Sequence, residues 1–138
     1  MSQNTVILLL GTNLGDKEKN LETAKTHIIR EIGEIYDESE ILTTEAEGYE
    51  SDHLFLNQTV KLKTGLSPIG VLNRAKMIEK MMGRIYLETA QKFQDRLIDI
   101  DLLKFNSIKY ESQSLIIPHP QIYTRNFIKK IADCHLET

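Results

Sequence analysis

Residues 93–105, FQDRLIDIDLLKF, place two carboxylates, Asp99 and Asp101, inside an otherwise aliphatic run. Side chains alternate between the two faces of a β-strand, so a strand here directs both aspartates to one face and the intervening aliphatic residues to the other. Aspartate is unfavourable in strands, and like charges on one face repel each other. The run therefore predicts a strand with one apolar face and one acidic face that needs a positive partner.

Two kinds of partner can balance this acidic face. The first is a nearby Lys or Arg side chain on a solvated surface. From this segment alone, this first interpretation is the favoured one. The second is a hard cation, since Mg²⁺ is typically held by one or two carboxylates together with substrate phosphates and water. The segment leaves both open.

Length and composition narrow the class of protein. The chain has 138 residues, 41% of them hydrophobic and 27% charged, which is ordinary for one globular domain spanning residues 1–138. Its 17 basic and 20 acidic side chains give a formal charge of −3, which argues against a general nucleic-acid binder. One cysteine cannot form an internal disulfide, and the N-terminus resembles neither a signal peptide nor a membrane span. We expect a cytoplasmic protein without a membrane partner, and a monomer is compatible with the sequence.

The first half of the chain alternates strand and helix signals. Thr5–Leu10 is a compact apolar run that predicts a buried strand, followed by a turn. A helix is expected next, with Asp16 as its N-cap and its end near Gly33. Its apolar face would consist of Leu21, Ala24, Ile28 and Ile32. Residues 35–43 then predict a strand, and residues 44–52 a polar loop.

The second half repeats the pattern. Leu54–Leu62 alternates as a strand does, and Ser67 with Pro68 predicts the start of a second helix that ends near Gly83. The apolar face of this helix would consist of Leu72, Ala75, Ile78 and Met82. Residues 84–96 show no clean period, which indicates a long loop of the kind that often forms a functional lid.

The acidic strand completes the order of elements. Asn106 and Ser107 indicate a turn after it, Ile108–Tyr110 would form a small extra hairpin strand beside it, and the chain from Leu115 is expected to be loop with one or two helical turns. The order β-α-β-β-α-β predicts an α+β, ferredoxin-like sandwich, in which two helices pack on one face of an antiparallel sheet. This fold hosts many functions, so it settles none.

Three residues outside the acidic strand have both a structural and a functional interpretation. Phe55 and Asn57 share a strand face and could stack on, and hydrogen-bond to, a flat heterocycle. Taken singly, a Phe is more often core and an Asn more often a satisfied surface amide. Glu79 lies beside the apolar stripe of the second helix. A glutamate at such a position is usually exposed to solvent.

A set of basic residues flanks the acidic strand on both sides. Its members are Arg84, Lys92, Arg96, His119 and Arg125. They are either scattered surface cations or groups that neutralise a polyphosphate. An Mg²⁺-nucleotide site needs a carboxylate pair and such cations, and this chain has them before and after the pair.

Four separated stretches resemble the 6-hydroxymethyl-7,8-dihydropterin pyrophosphokinase family. They are GTNLGD (11–16), FLNQTVKL (55–62), DRLIDIDLL (95–103) and IPHPQIYTRNF (117–127). They occur in the family's order, and together they are far more specific than any one alone. The resemblance implies the fold predicted above and an enzyme that transfers diphosphate from ATP to the hydroxymethyl oxygen of the dihydropterin, releasing AMP, in folate biosynthesis.

The resemblance also implies roles for individual residues. Asp99 and Asp101 would bind two Mg²⁺ ions, and together with Arg84 and Arg96 they would be the catalytic residues. ATP would be bound by Glu79, Arg84, Lys92, Arg96, His119 and Arg125. The pterin would be bound by Thr44, Glu45, Glu47, Phe55, Asn57 and Phe127. The chain departs from many relatives at Glu45-Ala46 and Lys92-Phe93, within the pterin loop and the expected lid.

Two other functions stay open on the sequence. A non-catalytic ferredoxin-like module that binds RNA or a protein would need surface aromatics and a basic face, which the net charge disfavours. A family member with a different pterin or diphosphate donor is also compatible with the motifs, because the loop at residues 45–47 is where pterin edges would be recognised.

Overall fold

The computed structural model describes residues 3–44, 54–83 and 97–120. In this part of the chain, the elements are β1 (Asn4–Thr12), α1 (Lys17–Glu31), β2 (Glu34–Glu38), β3 (Leu42–Thr44), β4 (Phe55–Thr64), α2 (Pro68–Met81), β5 (Asp99–Phe105), β6 (Tyr110–Glu111) and β7 (Ile116–Ile117). The predicted order β-α-β-β-α-β is confirmed, with the second strand divided into β2 and β3.

The main sheet is antiparallel throughout and has the order β2-β4-β1-β5, with β3 also paired to β4. Since β1 and β2 are both antiparallel to β4, they run parallel to each other with β4 between them. This is the split βαβ arrangement that the order of elements predicts. In the described part of the sheet, β5 is the edge strand beside the second helix.

The core lies between the helices and one face of the sheet. Val6, Leu8 and Leu10 of β1 belong to one buried cluster with residues of both helices, β4 and β5. Their neighbours in sequence, Ile7 and Leu9, therefore point to the opposite face, which we call the open face because neither helix packs on it.

The predicted strand at residues 35–43 divides at Ser39. The hydroxyl of Ser39 accepts a hydrogen bond from the Thr59 amide at 2.9 Å, while the Ser39 amide donates to the Thr59 carbonyl at 2.9 Å. A side chain thus replaces one backbone partner, so β2 and β3 pair with different halves of β4.

Both helices begin where their caps predict. The Asp16 carboxylate accepts from the Lys19 amide at 3.2 Å, and the Ser67 hydroxyl accepts from the Gly70 amide at 3.1 Å, with Pro68 in the first turn.

The buried face of α2 differs from the prediction. It consists of Val71, Ala75, Ile78 and Glu79. Leu72 and Met82, which were expected to complete the apolar face, are only partly buried. The reason is that α2 packs against the edge strand β5, which brings Glu79 over that edge.

The small extra strand is present but has a different partner from the expected one. β6 pairs with β7 in a separate two-stranded sheet and not with β5. The loop expected from Leu115 onwards thus contains a short strand, and its remainder from residue 121 lies outside the described residues. In the described ranges, no helix is long and apolar enough to cross a membrane.

Candidate active site

The strand register places the two aspartates on the open face. Gly11 of β1 pairs with Asp99 on one side and with Asn57 on the other, and Leu9 pairs with Asp101. Paired residues of antiparallel strands direct their side chains to the same face. Asp99, Gly11 and Asn57 therefore form one row across three strands, and Asp101 lies in the next row. The prediction that the aspartates share a face is confirmed.

Gly11 keeps the space between the aspartates and β4 open. A methyl group at this position would lie 3.5 Å from Oδ1 of Asn57 and 3.8 Å from Cδ1 of Phe55. Any larger side chain would occupy the space in front of these two residues. The structure therefore forms a shallow floor at Gly11, with an amide and an aromatic ring beside it.

Asn57 is held in one orientation. Its Nδ2 donates to Oγ1 of Thr44 at 2.8 Å and to the carbonyl of Leu42 at 3.4 Å. The side chain is buried, so the expected surface amide was wrong. With both amide hydrogens directed at β3, the oxygen faces Gly11 and can accept a hydrogen bond from a ligand.

Phe55 completes this group on the open face. It is partly buried and pairs with Thr44, the residue whose hydroxyl fixes Asn57. The structure thus brings together three residues to which the resemblance assigns the pterin: Thr44, Phe55 and Asn57. An aromatic edge beside a fixed carbonyl oxygen suits a flat ring that carries N–H donors.

Glu79 reaches the aspartate strand from the other side. It is 4% exposed, and its Oε2 accepts from the Ile100 amide at 2.8 Å. Ile100 lies between Asp99 and Asp101, and its amide points away from β1, to the side of β5 on which the described residues form no further strand. The expectation that Glu79 lies on a solvated helix face was wrong. Helical periodicity does not show which groups of other elements lie within hydrogen-bonding distance of a side chain, and here the Ile100 amide does.

His119 also contacts this strand. Its backbone amide donates to the Leu103 carbonyl at 2.9 Å. Between α2, β5 and residues 113–120 lies a cleft of about 360 Å³, with Glu79, Asp101, His119 and Lys76 among its lining. Glu79, Asp101 and His119 were candidates from the sequence, whereas Lys76 gave no signal beyond its exposed helical position.

The aspartate pair fits a hard metal ion by the chemistry of its donors. Carboxylate oxygens are what Mg²⁺ binds in proteins, usually with substrate phosphates and water completing its shell. Within residues 3–44, 54–83 and 97–120, there is no group of three or more His, Cys, Asp or Glu side chains that could hold a metal ion. Two carboxylates alone are the pattern expected where a nucleotide supplies further oxygen ligands.

Seven of the residues that the resemblance assigns lie outside the described residues. They are Glu45, Glu47, Arg84, Lys92, Arg96, Arg125 and Phe127. Gly11 is the residue of the site whose place was not anticipated, since the GTNLG run was expected to form only a turn and a helix cap. Gly11 and Thr12 instead belong to β1, and the turn begins after them.

Comparison with protein families gives one match over most of the chain. Residues 7–133 match the family model described as 7,8-dihydro-6-hydroxymethylpterin-pyrophosphokinase (HPPK).

Curated relatives agree with this match. The chain is 37% identical over 125 residues to a 2-amino-4-hydroxy-6-hydroxymethyldihydropteridine pyrophosphokinase of Porphyromonas gingivalis, covering 90% of this chain and 85% of that protein. It is 34% identical over 126 residues to the protein of the same name in Bacillus subtilis, covering 91% of this chain and 74% of that protein.

Solved structures show the same fold. A crystal structure of an HPPK-DHPS protein in complex with substrates superposes with a TM-score of 0.71 at 18% identity, over 93% of this chain and 39% of that chain. A Plasmodium falciparum HPPK-DHPS triple mutant gives a TM-score of 0.71 at 20% identity, over 96% of this chain and 38% of that chain. The chain thus spans about two fifths of these longer proteins, and the likeness establishes its ferredoxin-like fold.

Proposed function

Because the chain belongs to the 7,8-dihydro-6-hydroxymethylpterin-pyrophosphokinase family, it is an ATP-dependent diphosphotransferase of folate biosynthesis, and we propose that the open face and the edge cleft form its active site. In the reaction, the hydroxymethyl oxygen of 6-hydroxymethyl-7,8-dihydropterin attacks the β-phosphorus of ATP. The bond between that phosphorus and the α,β-bridging oxygen breaks, AMP leaves, and one proton is released. The observation that carries the assignment is the row of Asp99, Gly11 and Asn57.

We propose that the pterin lies over Gly11. The missing side chain leaves room for a flat ring, Phe55 offers it an aromatic surface, and the oriented Asn57 oxygen accepts from one of its N–H groups. On the resemblance, Thr44, Glu45, Glu47 and Phe127 complete this subsite. The hydroxymethyl group would then point across Gly11 toward the aspartates of β5.

We propose that Asp99 and Asp101 hold Mg²⁺ beside the reacting oxygens. When bound, Mg²⁺ neutralises phosphate charge and helps to orient the attacked group. The chain's own contribution is a pair of carboxylates fixed on a paired strand, whose opposite face is anchored in the core by Ile100 and Leu102.

We propose that the edge cleft receives the nucleotide. Glu79, Asp101 and His119 all line this cleft. The phosphates of a nucleotide bound there would therefore be directed toward the metal ligands. Arg84, Lys92, Arg96 and Arg125 are assigned to the phosphates by the resemblance alone. The protein need not form a covalent bond to the transferred diphosphate. Most of the rate enhancement therefore comes from positioning of the substrates and neutralisation of phosphate charge.

The domain organisation and the cellular location of the enzyme are also part of the proposal. We infer a single domain that works in the cytoplasm on small-molecule substrates. The RNA- or protein-binding alternative is disfavoured by the family.

Calorimetric titration of the pterin tests the proposed site. We expect Mg²⁺ with a non-hydrolysable ATP analogue to strengthen pterin binding at least tenfold, because the nucleotide and the pterin would share the region around Asp99 and Asp101. Asp37→Asn on the far edge strand β2 is a matched control that should keep this coupling. Pterin affinity that is the same with and without the nucleotide would contradict the proposal.

A further inference from the structure

We propose that Glu79 is a positioning residue for the aspartate pair, which refines the contact with nucleotide that the resemblance implies. This role rests on the proposed function, because it concerns how the proposed metal ligands are held. The evidence is a buried carboxylate whose Oε2 accepts from the Ile100 amide at 2.8 Å, between the two aspartates.

The position of β5 in the sheet explains why this contact matters. On one side, β5 pairs with β1, which satisfies the backbone groups of Asp99 and Asp101. The Ile100 amide points to the other side, where the described part of the sheet has no further strand. An edge-strand amide without a partner binds water or another chain, and its peptide group is then held from the β1 side alone.

The hydrogen bond that the Ile100 amide donates to Glu79 holds this peptide group from the second side. It orients the peptide group that joins Asp99 to Ile100, and the Cα atoms on either side of a fixed peptide determine where the next side chains point. The Leu103 carbonyl is bound in turn by the His119 amide, so the outer edge of β5 is held at two points on either side of Asp101.

Burial of Glu79 indicates that this contact has a function. Removing a carboxylate from water is costly unless hydrogen bonds compensate, and an apolar residue at this position of α2 would extend the core formed by Val71, Ala75 and Ile78. The carboxylate is thus a poor choice for helix packing alone. It is a good choice for fixing a strand that carries metal ligands, since outer-shell partners of this kind typically change metal affinity by about 10- to 100-fold.

Three variants separate positioning from nucleotide contact. Glu79→Gln keeps an oxygen that can accept from Ile100 but removes the charge. Glu79→Met keeps the length and removes the acceptor. Ser67→Ala weakens the N-cap at the far end of the same helix and serves as the control for general loss of α2 stability.

Binding of Mn²⁺ to the protein with α,β-methylene-ATP is measured by calorimetry, and binding of the analogue alone is measured with EDTA. We expect Glu79→Met to weaken Mn²⁺ binding about 10- to 100-fold, Glu79→Gln to stay within about threefold of wild type, and Ser67→Ala to match wild type. Affinity for the analogue in EDTA should be unchanged in Ser67→Ala, and Glu79→Met should lose less affinity for the analogue in EDTA than for Mn²⁺. Hydrogen exchange at the Ile100 amide should accelerate in Glu79→Met only.

Several results would overturn the positioning role. One is wild-type Mn²⁺ affinity in Glu79→Met, and another is an equal loss in Glu79→Gln, which would assign the effect to charge. A loss of analogue binding in EDTA as large as the loss of Mn²⁺ binding would assign the effect of Glu79 to the nucleotide alone. If Glu79→Met does not fold, Glu79→Asp, which is too short to reach Ile100, replaces it with the same expected loss. Absence of Mn²⁺-dependent binding in the wild type would instead contradict the proposed metal site itself.

Discussion

Asn57 and Asp99 are joined through a single residue, because both pair with Gly11 on the open face of the sheet. An amide oxygen and a carboxylate thus lie on either side of a position that has no side chain. This relationship separates two tasks in the proposed active site: recognition of a flat ring on β4 and binding of a cation on β5.

The size of residue 11 should control pterin binding. Gly11→Val would place branched methyl groups in the space in front of Asn57 and Phe55, where even a Cβ already makes van der Waals contact with both. We expect pterin affinity to fall at least tenfold by calorimetry, with affinity for the ATP analogue retained. Gly65→Ala is the control, because a Cβ added at this position would meet no heavy atom within 4 Å apart from its chain neighbours. This variant should bind the pterin normally. Unchanged pterin affinity in Gly11→Val would place the ring elsewhere.

Removal of either aspartate should abolish turnover without unfolding the protein. Asp99→Asn and Asp101→Asn keep the size of the side chain and remove the charge that would hold Mg²⁺. We expect kcat to fall by about two orders of magnitude or more for each, with the fold retained as judged by circular dichroism. Full activity in both variants would contradict the proposal that Asp99 and Asp101 bind Mg²⁺.

Gly33 should be intolerant of any side chain. A Cβ there would collide with the carbonyl oxygen of Lys63 and would lie 2.8 Å from its carbon, and backbone atoms cannot move aside as a flexible side chain can. We expect Gly33→Ala to lower the free energy of unfolding by about 3 kcal/mol, as judged by urea denaturation. Gly65→Ala should change it by less than about 0.5 kcal/mol. Equal stability of the two variants would contradict the close approach of Gly33 to β4.

The attachment of α1 to β2 should depend on pH in the alkaline range. Lys25 is 6% exposed and bonds Glu22 at 2.7 Å and Glu38 at 2.9 Å. Burial lowers the pKa of Lys25, but the hydrogen bonds to Glu22 and Glu38 outweigh burial and raise the pKa above its usual value of 10.5. A raised pKa means that the stabilisation is complete below pH 10.5 and is lost as the pH rises through the folded-state value.

Lys25→Met tests this dependence. At pH 8 we expect the variant to be less stable than wild type by about 1 kcal/mol, because both carboxylate partners are partly solvated. As the pH rises past 10.5 the difference should shrink, since wild-type Lys25 loses its charge as the pH passes through its raised pKa. A difference that stays constant as the pH is raised beyond 10.5, up to the alkaline unfolding of the protein, would show that packing of the side chain, and not its charge, is responsible.

Most of the fold could be predicted because local signals agree with it. The caps at Asp16 and Ser67, the apolar run of β1 and the alternation of β4 each indicate one structure. The division at Ser39 could not be predicted, because it depends on a hydroxyl meeting the amide of Thr59, which is distant in sequence. The pairing of β6 with β7 likewise depends on tertiary position.

The geometry of the site was predictable only where strand periodicity determines it. Alternation suffices to place Asp99 and Asp101 together, and Phe55 with Asn57. The register that aligns these pairs through Gly11 comes from strand pairing over long sequence separations. Burial of Glu79 was not predictable, because a carboxylate beside an apolar stripe is usually solvated unless a specific donor such as the Ile100 amide lies opposite.

Release of AMP from ATP by the purified protein, measured with and without 6-hydroxymethyl-7,8-dihydropterin in the presence of Mg²⁺, tests the central claim most directly. We predict that AMP forms only when the pterin is present, in a one-to-one ratio with the pterin diphosphate, and that no ADP accumulates. AMP release that is independent of the pterin, or transfer of a single phosphate with formation of ADP, would contradict the assignment of this chain as a pterin diphosphotransferase.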